Sequence, residues 1–258
     1  MTVLENLFLY YNQLPLNDSK RDILRHLMPH IKEIDQMTIY DVAECCYTST
    51  ATISRLVRAM GFKNYTIFQS KLHESVSRYD YDNRFTQNSR NSSLSAKDLV
   101  SSEMDFMLTE FRKHANNDQI DLLADAIHTS SYVALFAYGL RFMENALQSD
   151  IVYSGIPCDI ALSETEQLSL AEQLKPGHLA IFMCPDAIDS ISFTGKLIRL
   201  THEKGPKIAI LSSTGQQAFV SLSDILFTFN GHRCQSDSFY LEMLLAAITI
   251  TYRKKYID

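Results

Sequence analysis

Hydroxyl and basic side chains recur at helical spacing between Ser49 and Lys63, and these residues are the ones best suited to recognising another molecule. Arginine can donate paired hydrogen bonds to guanine or phosphate, and serine or threonine can bond to either group. The pattern is typical of a helix that contacts DNA, although a solvated face in a helical bundle shares it. The residues predicted to contact DNA are Ser49, Thr50, Thr52, Ser54, Arg55, Arg58 and Lys63.

Two short helices joined by a tight turn are predicted to position these side chains. Three residues share one face of the first helix: Val42, Ala43 and Cys46. Three more share one face of the second helix at positions i, i+3 and i+7: Ile53, Leu56 and Met60. The two faces can close on each other, and the hydroxyls of residues 47–49 can cap the second helix. We therefore expect a helix pair whose second member turns its polar side outward.

The charge around this helix pair favours contact with DNA. Between Thr48 and Arg78, five basic residues accompany a single acidic residue, Glu74. This segment therefore has a net charge of +4, whereas the whole chain has a net charge of −6. A locally basic segment in an acidic chain is typical of a DNA-reading module joined to another domain.

The stretch from Thr38 to Phe62 resembles the helix-turn-helix of the RpiR/MurR family of bacterial sugar-metabolism regulators. The resemblance rests on Ala43, on the run Ala-Thr-Ile-Ser-Arg at residues 51–55, and on the Gly-Phe pair at residues 61–62. This chain has Tyr47 where the family's turn usually has glycine, and Thr48 where it usually has a buried aliphatic residue. Tyr47 is therefore expected to adopt a left-handed conformation, at a cost of about 1 kcal/mol.

Length and composition favour a cytoplasmic protein of two domains. The chain has 258 residues, of which 46% are hydrophobic, and one small core needs fewer. No segment approaches the apolar run of about 20 residues that a membrane span requires, and no basic leader precedes a cleavage site. The five cysteines show no C-x-x-C spacing and the histidines no ligand spacing, so neither a disulfide framework, a metal nor a cofactor is expected.

Helical periodicity and composition divide the chain into three parts. Residues 1–79 predict an all-α helix-turn-helix bundle of five helices. This part has nine basic and eight acidic residues, a net charge of +1. Besides the helix pair, its helices are predicted at 3–12, 17–34 and 65–78. Residues 80–97 are rich in Asn, Ser, Asp and Arg, which is typical of a linker. Residues 98–258 form a second domain, whose twelve basic and twenty acidic residues give −8.

A change of period predicts an α/β fold for the second domain. Short apolar runs typical of buried strands occupy residues 132–137, 179–183, 207–211 and 225–229. Segments of helix length occupy residues 98–112, 120–128, 142–153, 188–203 and 236–254. Alternation of strand and helix predicts a three-layer domain with a mostly parallel sheet of flavodoxin or Rossmann type. The apolar face of the last helix is expected to meet a partner subunit or to cover this sheet.

This order of elements resembles the sugar isomerase (SIS) domain, a phosphosugar-binding fold, over residues 118–258. Ligands of open parallel sheets bind at the carboxyl ends of the strands, which here are followed by residues 138–144, 184–189 and 212–217. The family's G-x-G-x-S turn is G-L-R-F-M in this chain, and its S-x-S-G-x-T loop is C-P-D-A-I-D. The phosphosugar loops therefore look degenerate. The candidate ligand-binding residues are Gly139, Arg141, Ser212, Ser213 and Thr214.

Both resemblances together imply a transcriptional regulator of sugar or amino-sugar metabolism genes. It is expected to bind double-stranded DNA at a palindromic operator as a homodimer or homotetramer, with a sugar phosphate as its effector. The alternatives are a phosphosugar isomerase-type enzyme and a ligand-free oligomerisation or interaction protein. The carboxylates Glu144, Asp186 and Asp189 pair with no histidine at a recognisable spacing, so we expect no enzyme activity.

Overall fold

The computed structural model describes residues 3–79, 85–86, 93–137, 142–184, 192–213, 217–232 and 234–258. The chain divides into two compact units, Met1–Asp82 and Asn83–Asp258. Within the predicted linker, Phe85 and Thr86 belong to the second unit: the Phe85 carbonyl accepts a hydrogen bond from the Ser236 N–H at 3.2 Å, and Thr86 is buried. The domain boundaries themselves stay a prediction. No helix among the described residues is both long and apolar enough to cross a membrane.

The first unit is entirely helical in its described residues. Its α-helices are α1 (Val3–Gln13), α2 (Ser19–Leu27), α3 (Ile39–Cys45), α4 (Thr50–Ala59) and α5 (Tyr65–Ser77). A 3₁₀ helix, Met28–Gln36, follows α2 directly. The single helix predicted over residues 17–34 is therefore wrong, because Pro29 has no N–H to continue the α-helical hydrogen bonds and the chain tightens into 3₁₀ geometry.

Side-chain caps fix where these helices begin. Asp18, Ser49 and Asn64 each accept a hydrogen bond from a backbone N–H in the first turn of the following helix. Thr38 and Asp41 form a capping box at α3, in which the Asp41 carboxylate accepts from the Thr38 N–H at 2.6 Å. These hydrogen bonds from Thr38 lower the pKa of the Asp41 carboxyl. Each cap satisfies a donor that would otherwise lack a partner.

The second unit surrounds a parallel sheet. Its α-helices are α6 (Ala96–His114), α7 (Asn117–Thr129), α8 (Phe142–Tyr153), α9 (Glu164–Gln173), α10 (Phe193–Lys204) and α11 (Asp237–Tyr256), with a 3₁₀ helix at Gln217–Leu222. Its strands are β1 (Tyr132–Phe136), β2 (Cys158–Ala161), β3 (His178–Cys184), β4 (Lys207–Ser213) and β5 (Ile225–Phe229). They pair in parallel in the order β2-β1-β3-β4-β5.

Alternate strand residues build a core on each side of this sheet. In β1, Val133 and Leu135 face the helices α6, α7, α8 and α11, whereas Ala134 and Phe136 face α9 and α10. Strands buried on both faces read as continuous apolar runs, which is why four of the five were predicted. The predicted three-layer α/β class is confirmed.

Two elements of the second unit, β2 and α9, were not predicted. Strand β2 is a four-residue edge strand with exposed Asp159, and helix α9 has only a weak apolar face, so neither gives a clear periodic signal.

The apolar face of α11 covers its own sheet and is not a free surface for a partner subunit. The residues of that face are all buried within the unit: Tyr240, Leu241, Leu244, Leu245, Ile248 and Tyr252.

Candidate DNA-binding face and the loops of the second unit

Helices α3 and α4 pack through the faces that the sequence predicted. All six predicted contact residues are buried, and Val57 of α4 joins them in the same core. Ala43 is buried in the core that the two helices share, where a small side chain takes little space. The helix pair is therefore held by a continuous apolar contact that leaves the other side of α4 facing outward.

The turn between the helices has Tyr47 in the left-handed conformation, with φ 51°. The Tyr47 N–H donates to the Glu44 carbonyl at 3.0 Å, and the Thr48 N–H donates to the Ala43 carbonyl at 2.9 Å. These two bonds form a Schellman motif, which usually places glycine in the left-handed position. The prediction for Tyr47 is confirmed, and its side chain is 85% exposed, with its edge toward the His26 ring.

Helix α4 ends in a second Schellman motif. The Gly61 N–H donates to the Arg58 carbonyl at 3.0 Å, and the Phe62 N–H donates to the Val57 carbonyl at 3.1 Å. Gly61 takes the left-handed position with φ 90°. This geometry gives a physical reason for the Gly-Phe pair at residues 61–62: glycine permits the turn, and Phe62 packs against the core of the unit.

The predicted DNA-contacting residues form one outward side of α4 and its flanks. Ser49, Arg55, Arg58 and Lys63 are exposed, while Thr50, Thr52 and Ser54 are half-buried. Two of the hydroxyls are engaged with each other, since Ser49 Oγ accepts from the Thr52 N–H at 3.2 Å and lies 2.9 Å from Thr52 Oγ1. Arg55 Nε donates to the Ala51 carbonyl at 3.3 Å, so its side chain lies along its own helix. That these residues contact DNA stays a prediction.

The predicted ligand loops of the second unit fall largely outside the described residues. This applies to Gly139, Arg141 and Thr214, and to Asp186 and Asp189. Ser212 and Ser213 are described, and both are buried at the carboxyl end of β4. Ser213 is 2% exposed, and its Oγ has no hydrogen-bond partner in the described part of the chain. That Ser212 and Ser213 bind a ligand stays a prediction.

A buried glutamine ties two strands together at the same edge. Gln167 of α9 donates from Nε2 to the Ala137 carbonyl at 2.9 Å and to the Ala161 carbonyl at 3.2 Å. Glu144, in the first turn of α8, is also fully buried. Sequence reasoning missed the role of Gln167, because α9 itself was not predicted.

A helix-turn-helix unit joined to a three-layer α/β unit defines the class of this protein. The family model described as helix-turn-helix domain, rpiR family, matches residues 1–79. This match covers the helical unit and confirms the resemblance found at residues 38–62. The curated proteins contain no match to the chain.

Three solved structures are similar to the chain at low identity. The Vibrio vulnificus NanR protein complexed with ManNAc-6P is 13% identical, with 99% of this chain and 92% of that one covered and a TM-score of 0.49. The sugar isomerase domain of an RpiR transcription factor from Sphaerobacter thermophilus is 14% identical, with coverage of 61% and 91% and a TM-score of 0.46. A phosphoheptose isomerase from Francisella tularensis is 9% identical, with coverage of 62% and 100% and a TM-score of 0.48. Likeness at this level assigns neither a ligand nor an activity to this chain.

Proposed function

We propose that this protein is a transcriptional regulator of sugar or amino-sugar metabolism genes, and not an enzyme. It binds a roughly palindromic operator in double-stranded DNA as a homodimer or homotetramer. The observation that carries the proposal is the outward side of α4, where Arg55 and Arg58 are exposed on a helix whose opposite side is packed against α3 in an rpiR-family unit.

The geometry of α4 supports contact with a DNA groove. Its buried residues Ile53, Leu56 and Val57 occupy one side, so the helix is anchored while its other side is open to solvent. The amino-terminal end carries hydroxyls, and backbone N–H groups at a helix start favour phosphate. Arg55 and Arg58 supply positive charge on the exposed side. One such helix reads few base pairs, so two copies are needed for useful specificity.

The test is the DNA affinity of the Arg55→Ala/Arg58→Ala variant as a function of salt concentration. The DNA is a fragment selected from genomic DNA by the wild-type chain, and binding is followed by fluorescence anisotropy. Each lost phosphate contact should reduce the slope of log K against log salt by about 0.9. A lost base contact should instead weaken binding to the selected fragment more than to random DNA, by about 1–3 kcal/mol.

The matched control removes the same charge from elsewhere in the first unit. Lys20 and Lys32 are both exposed and lie outside the outward side of α4. The Lys20→Ala/Lys32→Ala variant should therefore keep most of the affinity and the salt slope. Equal losses in the two variants would show that only net charge matters, and unchanged binding in the arginine variant would show that α4 does not contact DNA.

The second unit is proposed to sense a sugar phosphate at the carboxyl ends of its strands. The candidate residues remain Gly139, Arg141, Ser212, Ser213 and Thr214. The support is the buried Ser213 hydroxyl, which lacks a partner among the residues described. An effector that binds one arrangement of the subunits more tightly would shift the population toward it and change the spacing of the DNA-binding units.

A thermal-shift screen of sugar phosphates and amino-sugar phosphates tests this sensing role. A ligand at a hundredfold excess over its Kd stabilises the folded state by about 2.7 kcal/mol. Ser213→Ala should abolish the shift while leaving the melting temperature of the free protein nearly unchanged, because the hydroxyl has no partner to lose. A shift that persists in Ser213→Ala would place the ligand elsewhere, and the absence of any shift would favour a ligand-free oligomerisation unit.

A further inference from the structure

Three side chains of metal-binding type meet beside the carboxyl end of β5. Glu103 comes from α6, and His232 and Cys234 come from the segment between β5 and α11; we refer to these three residues as the Glu103 cluster. Their ligand atoms all lie within 4.8 Å of one another. Glu103 Oε1 lies 2.7 Å from His232 Nδ1 and 3.9 Å from Cys234 Sγ. The three groups therefore face one common point.

The surrounding contacts hold the cluster in place. The Phe106 ring stacks on the His232 ring with centroids 4.0 Å apart, and this fixes the orientation of the imidazole. The His232 backbone N–H donates to Asp237 Oδ1 at 2.9 Å, and the Asn230 N–H donates to Glu110 Oε2 at 3.3 Å. Asn230 is thus hydrogen-bonded to α6, and His232 to the start of α11.

Burial makes the cluster an unfavourable place for a carboxylate without a nearby cation. Glu103 and Cys234 are each 8% exposed. In the described part of the chain, Glu103 Oε1 lies at hydrogen-bond distance from His232 Nδ1, and Ser236 Oγ donates a further hydrogen bond to it at 2.8 Å. A thiol is a weak hydrogen-bond donor, so it compensates little of the desolvation. The side chain of His232 is 39% exposed and gives the cluster an access path from solvent.

We propose that Glu103, His232 and Cys234 bind a divalent transition-metal ion of the Zn²⁺ type. One nitrogen, one sulfur and one oxygen donor suit Zn²⁺, whereas Mg²⁺ and Ca²⁺ prefer oxygen alone. Bond lengths of about 2.0–2.3 Å place tetrahedral ligand atoms roughly 3.3–3.7 Å apart. The Glu103–His232 separation of 2.7 Å must therefore widen by about 0.6 Å when an ion replaces the shared proton.

Charge and coordination number support the same ion. Binding releases the thiol proton of Cys234 to solvent and requires the neutral His232 tautomer with its proton on Nε2, so that Nδ1 is free to bind the ion. One thiolate and one carboxylate then neutralise the 2+ charge. Three protein ligands leave a fourth position for water or another ligand. The ion ties α6 to the segment that precedes α11, both of which pack on the same side of the sheet. This inference is independent of the proposed regulator function.

Titration of the full chain with Co²⁺ and Zn²⁺ after removal of bound metal with EDTA tests the site. Thiolate-bound Co²⁺ absorbs in the near ultraviolet, and tetrahedral Co²⁺ absorbs in the visible range, so the spectrum reports both ligand type and geometry. We expect one Co²⁺ per chain with both bands, displaced by Zn²⁺. Zn²⁺ should also raise the melting temperature by about 5 °C or more at a hundredfold excess over Kd.

Variants identify the ligands. Cys234→Ser should lose the thiolate band and weaken Zn²⁺ binding more than about tenfold. Glu103→Gln should keep the thiolate band but weaken binding by a similar factor, and it serves as the test if Cys234→Ser does not fold. Cys158→Ser, at a buried thiol of β2 outside the Glu103 cluster, is the matched control and should bind as the wild type does. The proposal is overturned if the wild type shows no thiolate band or if the band survives in Cys234→Ser.

Discussion

Gly231 lies where the chain leaves β5 and passes the start of α11, and one added methyl group should be costly there. A Cβ atom at this position would lie 2.3 Å from Asp237 Oδ2, 2.8 Å from Asp237 Cγ and 3.1 Å from Phe229 Cε2. Asp237 has little freedom to move, because it is 1% exposed and its Oδ1 accepts the His232 backbone N–H. Either the carboxylate must give up that bond or the segment after β5 must shift.

We expect Gly231→Ala to lower the free energy of unfolding of the second unit by about 2 kcal/mol, within the usual range for overpacking. For a unit of this size, the melting temperature should fall by about 4–8 °C. Gly155→Ala is the matched control, since its Cβ would meet nothing within 4 Å but its φ is 84°. That variant should lose only about 1 kcal/mol, from backbone strain rather than from a clash.

A double-mutant cycle with Asp237→Ala identifies the atom responsible. Asp237→Ala is destabilising by itself, because the His232 N–H loses its acceptor. Asp237→Ala removes both carboxyl atoms that the new Cβ would meet. In that background Gly231→Ala should therefore cost less than about 1 kcal/mol, a coupling of at least about 1 kcal/mol. Hydrogen exchange of the buried β3 and β4 amides, measured in EDTA, reports the stability of this unit by itself. An equal cost of Gly231→Ala in both backgrounds would refute the reasoning.

Three other changes probe separate contacts. Thr38→Ala removes the side-chain cap of α3 and should lower the free energy of unfolding of the first unit by about 1 kcal/mol, measured by urea unfolding. Gln167→Leu removes the side-chain donor of the buried Ala137 carbonyl and one of the two donors to the Ala161 carbonyl, so hydrogen exchange of β1 and β2 should show a loss of about 1–3 kcal/mol. Hydrogen bonds from Lys255, and then from Tyr256, lower the pKa of the Asp125 carboxyl. Its contribution is therefore full above an unfolded-state pKa of about 3.9 and is lost as the pH falls through the lowered folded-state pKa, so Asp125→Asn should flatten the melting-temperature profile below about pH 4.

The helix pair could be predicted from the sequence because its signals are local. Apolar residues at helical spacing gave the packed faces of α3 and α4. The left-handed conformation of Tyr47 was expected because this residue stands where the RpiR/MurR turn usually has glycine. The break after Leu27 was also present in the sequence as Pro29, but the helical periodicity on both sides hid it. Strand β2 gave too weak a signal, because a four-residue edge strand needs its neighbour to define it.

The Glu103 cluster could not be predicted, because Glu103 lies far in sequence from His232 and Cys234 and departs from the expected burial pattern. Helix α6 buries Met107, as its apolar side chain favours, but it also buries Glu103 and Glu110. Glutamates on a helix are normally assigned to its solvated side. Glu103 and His232 come together only in the folded chain, so no ligand spacing in the sequence predicts their contact.

The two Schellman motifs have a consequence for how recognition by this unit can be altered. Main-chain hydrogen bonds at residues 43–48 and 57–62 set the direction in which the chain enters and leaves α4, and the buried side of the helix sets its rotation. None of these constraints involves the exposed side chains of Arg55 or Arg58. The position of the helix therefore does not depend on these side chains. Substitutions on its outer side should change the DNA sequence that the unit is proposed to prefer, without refolding the unit.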